Sequence, residues 1–393
     1  MLVKVPRLFK RFFAEFKPVT GAGCKSKARQ LVEVIQLILR YQLTPDEYYY
    51  FKFYKLDKDY KCMLTYLPTL HSIKYHQALG NPRWVPVLRN KLLFNQYFGN
   101  FKLPVTTIYG YYDNWAGFSS EGFPLTTSEE LKSLLLKIKP HSLVIKPVAG
   151  GRGKNILVLD ELDFNGEEIL CKTGGGRVLA FNELFAHIQQ NTPRSTYSGY
   201  ILEKKLAQHE VINNISHYAL NTVRLVTFLN KNHQVDIPFA ILRLGLAGSS
   251  VDNISQGGLA VHINPEDGVL GNGIFYPRHG DHFYSEHPDT KVSFLGQQIP
   301  FWDEVVQLCT FAARVTPFCR SIGWDIAITP HGPVLIEGND FWGVNIHQGY
   351  GKGYLQPDVR ENLVPFGLKF PEDELPAVNI GALAQAMQKW GIK

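Results

Sequence analysis

The chain has 393 residues, 45% of them hydrophobic and 13% aromatic, which supports a sizeable core and excludes a disordered chain. Its net charge of +6 is mild and evenly spread, so it suits anionic ligands and argues against nucleic acid. The five cysteines, Cys24, Cys62, Cys171, Cys309 and Cys319, include no C-x-x-C pair and read as reduced thiols in a cytosol, not as a disulfide framework or a zinc site.

The chain opens with "MLVKVPRLFKRFFAEFK". Leu8, Phe9, Phe12, Phe13 and Phe16 share one helical face, and Lys4, Arg7, Lys10, Arg11 and Lys17 line the rest. No continuous apolar run makes this a signal peptide, and no stretch of the chain approaches the ~20 apolar residues of a membrane span. Such a helix either docks on its own domain or lies on an anionic membrane surface. Residues 26–42 carry helical spacing behind Ser26 as cap. "TPDEYYYFKFYKL" starts a helix with Thr44 as cap and Pro45 in the first turn, and its aromatics read as core. "NPRW" (81–84) is a breaker.

From residue 90 the pattern mixes elements. "NKLLFNQYFGNFKLPVTTIYG" reads as helix, turn and strand, and "TTSEELKSLLLKIK" as a capped helix. "SLVIKPV" and "NILVLD" are strands around a glycine loop; "CKTGGGRVLA" is a hairpin tip, "FNELFAHIQQ" a helix and "GYILEKKL" a strand. Longer strands follow in "ALNTVRLVTFLN", "QVDIPFAILRLG" and "GGLAVHINPEDGVL", then a helix near 301–315 and a hairpin over 323–340. The absence of regular βαβ alternation predicts an α+β protein with mainly antiparallel sheets. The expected divisions are a mainly helical region over 1–88, a first subdomain over 89–204 and a second over 205–393, which ends in a closing helix.

The glycine loop "KPVAGGRGKN" (146–155) lets backbone approach a ligand and aim its N–H groups at phosphate oxygens, with Lys146, Arg152 and Lys154 adding charge. It is not a Walker A loop, because position 148 is Val and the residue after Lys154 is Asn155. A strand rather than a helix follows, so it is not a dinucleotide fingerprint either. It reads as a phosphate lid or as a plain glycine hairpin.

The final hairpin places acids on buried-looking strands. Glu337 and Asn339 alternate onto one face. Asp325 joins them only if it pairs with Glu337, which leaves a three-residue loop, Pro330-His331-Gly332, with Gly332 in the left-handed position. The resulting cluster of hard oxygens suits Mg²⁺; the alternative is a solvated strand end.

Lid lysine and acidic hairpin together resemble the ATP-grasp superfamily, in particular its sugar-transfer-associated branch, over roughly residues 85–350. The resemblance implies an ATP-grasp fold and a set of roles. Lys91 of "NKLL" would meet the α-phosphate, and Lys146 the α- and β-phosphates. The lid Gly150, Gly151, Arg152 and Gly153 would cover the phosphates. Glu203 and the backbone of Lys204 to Leu206 would hold adenine, and Glu210 the ribose. Asp325, Glu337 and Asn339 would hold two Mg²⁺ ions, with Mn²⁺ as a substitute. Arg224, Arg243 and Asn253 would serve catalysis. Dipeptide ligases of the superfamily often carry an arginine two residues before the metal aspartate; here Gly323 stands there. Arg243 or Arg224 is then the cation for the acyl phosphate, or a structural ion pair.

The implied activity is an ATP-dependent carboxylate–amine ligation through an acyl phosphate, which needs no covalent enzyme nucleophile; no G-x-S-x-G elbow occurs. The branch suggests a uronic-acid carboxylate of a cell-surface polysaccharide or its precursor, joined to an amino acid or amine, in a cytoplasmic enzyme for which residues 1–17 offer a peripheral contact with the inner face of the membrane. Ligation of peptides or amino acids, and a nucleotide-binding or phosphotransferase protein without ligation, are the alternatives. The segment 264–290 reads as a long substrate loop. Its histidines, with His262 just before it, are too irregularly spaced for a metal.

Overall fold

The computed structural model describes residues 16–150, 153, 155–191, 199–249, 251–275 and 283–370. Residues 1–15 of the basic aromatic stretch, the lid residues Gly151, Arg152 and Lys154, the histidines 279 and 282 and the expected closing helix lie outside them. The described residues divide into two compact units, one of 16–79, 230–234 and 343–370, the other of 80–229 and 235–342.

The first unit is helical. Helix α1 (Lys27–Tyr41) begins where Ser26 accepts a hydrogen bond from the Arg29 amide. Helix α2 (Pro45–Tyr50) begins with a capping box, Thr44 and Glu47 each bonding the other's backbone. Both starts follow the sequence expectation, because caps act within one turn. The aromatic run packs inward: Phe51 and Phe53 lie 4.7 and 4.8 Å from the Tyr66 ring. Glu47 also accepts from the Thr69 amide and hydroxyl at 2.8 and 2.6 Å, tying α2 to the helix Thr69–Leu79. That helix was not legible beforehand. Its buried side includes His71, Ser72 and His76, so apolar periodicity does not mark it.

The second unit holds two sheets. Strands β1 (Ile108–Tyr112), β2 (Phe118–Ser119), β3 (Leu143–Pro147), β4 (Leu157–Asn165), β5 (Glu168–Thr173), β6 (Val178–Ala180) and β7 (Tyr200–Lys204) form the first, in the order β2-β1-β7-β3-β4-β5-β6. Strands β8 (Thr222–Leu229), β9 (Val235–Leu244), β10 (Leu259–Ile263), β11 (Leu270–Ile274), β12 (Ser321–Thr329) and β13 (Gly332–Asn339) form the second, in the order β11-β10-β9-β8-β12-β13. Every pair of neighbours is antiparallel. The chain is therefore α+β with antiparallel sheets. Trp302, Val305 and Ala312 of the helix Trp302–Val315 pack with Leu225, Val261 and Ile326 in the core of the second sheet.

Two expectations change here. The segment 264–290 is not structureless, since β11 lies within it and pairs with β10. The hairpin β12–β13 also closes differently. Thr329 pairs with Gly332, so the loop has two residues, Pro330 and His331. The strands then run in step to Ile326 opposite Leu335, where the register shifts and Asp325 meets Glu337. Ile336 is the extra residue of a β-bulge. A one-residue offset turns side chains to the opposite face, and a one-residue bulge turns them back. Asp325 and Glu337 thus pair as expected, by a bulge instead of a longer loop. Gly332 does carry a positive φ, +122°.

Candidate active site

A cavity of about 900 Å³ takes its walls from both sheets of the second unit, near the top of the usual range for ligand pockets, roughly 300–1,000 Å³. Lys91, Lys146 and Glu203 line it from one side and Arg243, Asp325 and Glu337 from the other.

Lys91 opens the helix Lys91–Asn100, whose first turn is fixed by Asn90: its side-chain oxygen accepts from the Leu92 and Leu93 amides, each at 3.0 Å. The Lys91 amide donates to the Val148 carbonyl at 2.8 Å, and its Nζ donates to the Gly150 carbonyl at 3.1 Å and stands 4.0 Å from Glu337. Burial pushes the Lys91 ammonium down, against the pull of Glu337 and with help from nearby Lys146. A buried cation held this way favours an anionic visitor.

Lys146 on β3 and Glu203 on β7 are diagonal neighbours, since Lys146 pairs with Ile201. Their side chains meet at 2.6 Å, and the Thr106 hydroxyl donates to the other Glu203 oxygen at 2.9 Å. Each Glu203 oxygen thus has one partner, and the carboxylate orients Lys146 while it lines the cavity. Lys204 and Leu206 line the cavity, as do Lys205 and Asp160, which pair at 2.6 Å. Glu210, expected at the ribose, begins the helix Glu210–Ile215 and is exposed; it is not among the cavity's lining residues.

Of the lid, Gly150 and Gly153 line the cavity. Gly153 has φ +69°, and a Cβ there would lie 2.7 Å from the Val251 side chain, so the lid meets the loop beyond β9 at a position only glycine fits.

Arg224 on β8 is the direct cross-strand partner of Asp325 on β12. Its Nε and Nη2 donate to the two Asp325 oxygens, each at 2.6 Å. Arg243 on β9 donates from Nη1 to Asp325 at 2.6 Å and from Nη2 to Asp252 at 2.8 Å. Asp252 also accepts from the Thr222 amide at 3.0 Å and from the Thr222 hydroxyl. Burial opposes ionisation of Asp325, but the two arginines outweigh it and hold its carboxyl well below the usual range. Glu337 is driven the other way, upward, by burial and by the Asp325 charge, against the pull of Lys91. Asn253 lines the cavity, and its carbonyl accepts from the Gln256 and Gly258 amides at 3.0 and 3.1 Å.

Of the expected metal residues, Asp325 and Glu337 line the cavity; Asn339, and the expected catalytic Arg224, are not among its lining residues. Asn339 pairs across the hairpin with Gly323, donating to its carbonyl at 3.2 Å and more weakly to Glu337 at 3.5 Å, which braces the glutamate from behind. Among the described residues no cluster of three or more His, Cys, Asp or Glu forms a complete metal site. An acid pair in which one member is pushed toward its neutral form by the other fits a divalent cation that draws further oxygens from a phosphate ligand.

Asp252, Thr222, Thr106 and the Asp160–Lys205 pair were not read from the sequence. Asp252 is nine residues from Arg243 in a loop, and a loop acid carries no periodic signal.

This arrangement of two antiparallel sheets around a cavity of lysines, arginines and acids has a family. The chain belongs to the sugar-transfer-associated ATP-grasp family, whose sequence profile matches residues 70–360; ATP-grasp proteins of this kind are ATP-dependent ligases. No curated protein sequence matches the chain. Among solved structures it is similar to the D-alanine–D-alanine ligase from Coxiella burnetii, at 10% identity over 80% of this chain and 64% of that one, TM-score 0.39. It is also similar to biotin carboxylase from Campylobacter jejuni, at 10% identity over 76% and 50%, TM-score 0.44, and to D-alanyl-alanine synthetase A from Vibrio cholerae, at 12% identity over 79% and 66%, TM-score 0.37. The chain spans less than two thirds of the length of each, and likeness at this level reaches no individual residue.

Proposed function

We propose that this chain is an ATP- and Mg²⁺-dependent carboxylate–amine ligase acting on a uronic-acid carboxylate of a saccharide, with an amino acid or amine as the second substrate. One observation carries the reading: a single cavity joins Lys146 of the first sheet and Lys91 at the start of a helix to an arginine-clamped acid pair on the second sheet. In this reading Lys91 and Lys146 neutralise the phosphate chain, and Glu203 aims Lys146. The backbone of Gly150 to Gly153 covers the phosphates and excludes water, which would otherwise hydrolyse an acyl phosphate. Lys204 to Leu206 form the edge that receives adenine. Asp325 and Glu337, braced by Asn339, hold Mg²⁺, which supplies charge neutralisation at the β- and γ-phosphates; the resemblance implies two ions, a stoichiometry that titration would count. Arg243 faces the group being transferred, and Arg224 keeps Asp325 in place. Catalysis is positioning and charge neutralisation, so no covalent enzyme intermediate is involved. The saccharide assignment is supported by the family's association with sugar transfer.

The test is phosphate release from ATP and Mg²⁺ across a matrix of uronic acids and amines, with wild type beside Glu337→Ala. Release that requires one acid and one amine together and disappears in the variant is the expected result. Release without an amine, or undiminished in the variant, would sink the ligase reading.

A further inference from the structure

Asp325 presents a conflict for metal binding. A carboxylate has about four lone-pair positions, and three of those on Asp325 accept from arginine: Oδ1 from Arg224 Nε, and Oδ2 from Arg224 Nη2 and Arg243 Nη1. One position, on Oδ1, is left, so a cation that binds Oδ2 or both oxygens of this acid must displace a guanidinium. A guanidinium displaced inside a buried site without another partner is costly.

The two arginines differ in what they could fall back on. Among the described residues Arg224 pairs with no carboxylate besides Asp325. Arg243 already has a second seat, because its Nη2 lies 2.8 Å from Asp252. Asp252 is itself buried, 8% exposed, and its other oxygen is fixed by the Thr222 amide and hydroxyl. Thr222 in turn is the cross-strand partner of Arg243, so seat and arm are anchored on the same pair of strands. The charges balance around the site: Arg224, Arg243 and Lys91 stand against Asp252, Asp325 and Glu337. An acid whose only service were to loop structure would not need to lie on the arm that also holds the metal aspartate.

We propose that Asp252 is a positioning residue for metal loading: it retains Arg243 when Asp325 turns a lone pair from that arginine to a divalent cation. The inference rests on the ATP and Mg²⁺ reading above and goes beyond it by assigning a residue that acts only through Arg243. Arg243 then stays in the cavity wall, released from Asp325 and still anchored, with its charge available to the phosphates.

The experiment is calorimetric binding of a non-hydrolysable ATP analogue, with Mg²⁺ titrated, to wild type and Asp252→Asn. Asparagine keeps the shape and can accept from Thr222, but it drops the charge that competes for Arg243. The expected result is about a tenfold rise in the Mg²⁺ concentration needed for half-maximal enhancement of analogue binding, the ratio that ~1.4 kcal/mol represents. An unchanged Mg²⁺ requirement overturns the inference, whatever the variant does to thermal stability. The wild-type arm tests the underlying reading separately: wild type without Mg²⁺-dependent binding overturns that reading and this inference with it. If Asp252→Asn does not fold, a wild-type crystal structure with Mg²⁺ and the analogue decides. Arg243 withdrawn from Asp325 and still bonded to Asp252 supports the inference; Arg243 still on Asp325, or off Asp252, refutes it.

Discussion

Arg224 and Asp325 are direct partners on adjacent strands and share two parallel hydrogen bonds of 2.6 Å. Only a guanidinium fork makes that geometry. Replacing Arg224 with Met leaves Asp325 to Arg243 alone, at the low end of what breaking a buried pair costs, about 3 kcal/mol. Urea denaturation measures it, and Arg224→Lys should fall between the two. A loss below about 1 kcal/mol for the Met variant would show that solvent screens the pair.

Gly323 stands two residues before Asp325, and the fold explains why it is glycine. A Cβ there would lie 2.5 Å from the Trp342 Cβ and 3.4 Å from the Arg224 side chain. Arg224 already passes through the space that an arginine at 323 would use. Gly323→Ala should therefore destabilise by about 1–3 kcal/mol through overpacking. Gly323→Arg should not restore phosphate release to Arg224→Met; recovery of activity in that double variant would contradict this account.

His287 supplies a pH signature. Its ring is buried, with Nε2 3.0 Å from the Gly245 carbonyl and Nδ1 accepting from the Asp289 and Thr290 amides at 3.3 Å. Burial pushes it below its ordinary value of 6.5, against the Gly245 carbonyl and Asp289, with His217 and Lys291 adding to the depression. The unfolded chain then binds the proton more readily than the folded one. Stability from this group is complete above about pH 6.5 and declines as pH falls through the window beneath it. His287→Gln should flatten that part of the stability–pH curve; an unchanged slope would assign it to other groups.

Thr44 tests the scaffold by itself. Its hydroxyl accepts from the Glu47 amide, and Glu47 answers at the Thr44 amide at 2.8 Å. Thr44→Ala should cost about 1 kcal/mol in denaturant unfolding, and Thr44→Ser almost nothing. Equal losses in both would mean that the methyl group, not the cap, matters.

The sequence by itself determined what acts within a turn or along one strand. Ser26, Thr44 and Thr127 start helices where their side chains can reach an amide three residues on. Apolar runs marked the strands, and Asp325, Glu337, Lys91 and Lys146 stood out as charges among them. Only the tertiary structure decided what those charges do. Asp325 takes its arginines from positions 101 and 82 residues away, through the strand order β9-β8-β12, which no local pattern encodes. Glu203 pairs with Lys146 and accepts from Thr106, 97 residues off, a partner that no local pattern announces. The hairpin makes the same point over a shorter distance. Counting by twos predicts which side chains share a face, but one bulged residue at Ile336 reverses the count. Whether a strand bulges depends on the sheet it must fit: β13 is the edge strand, held in the sheet order by β12 on one side, and sheet edges are where bulges concentrate.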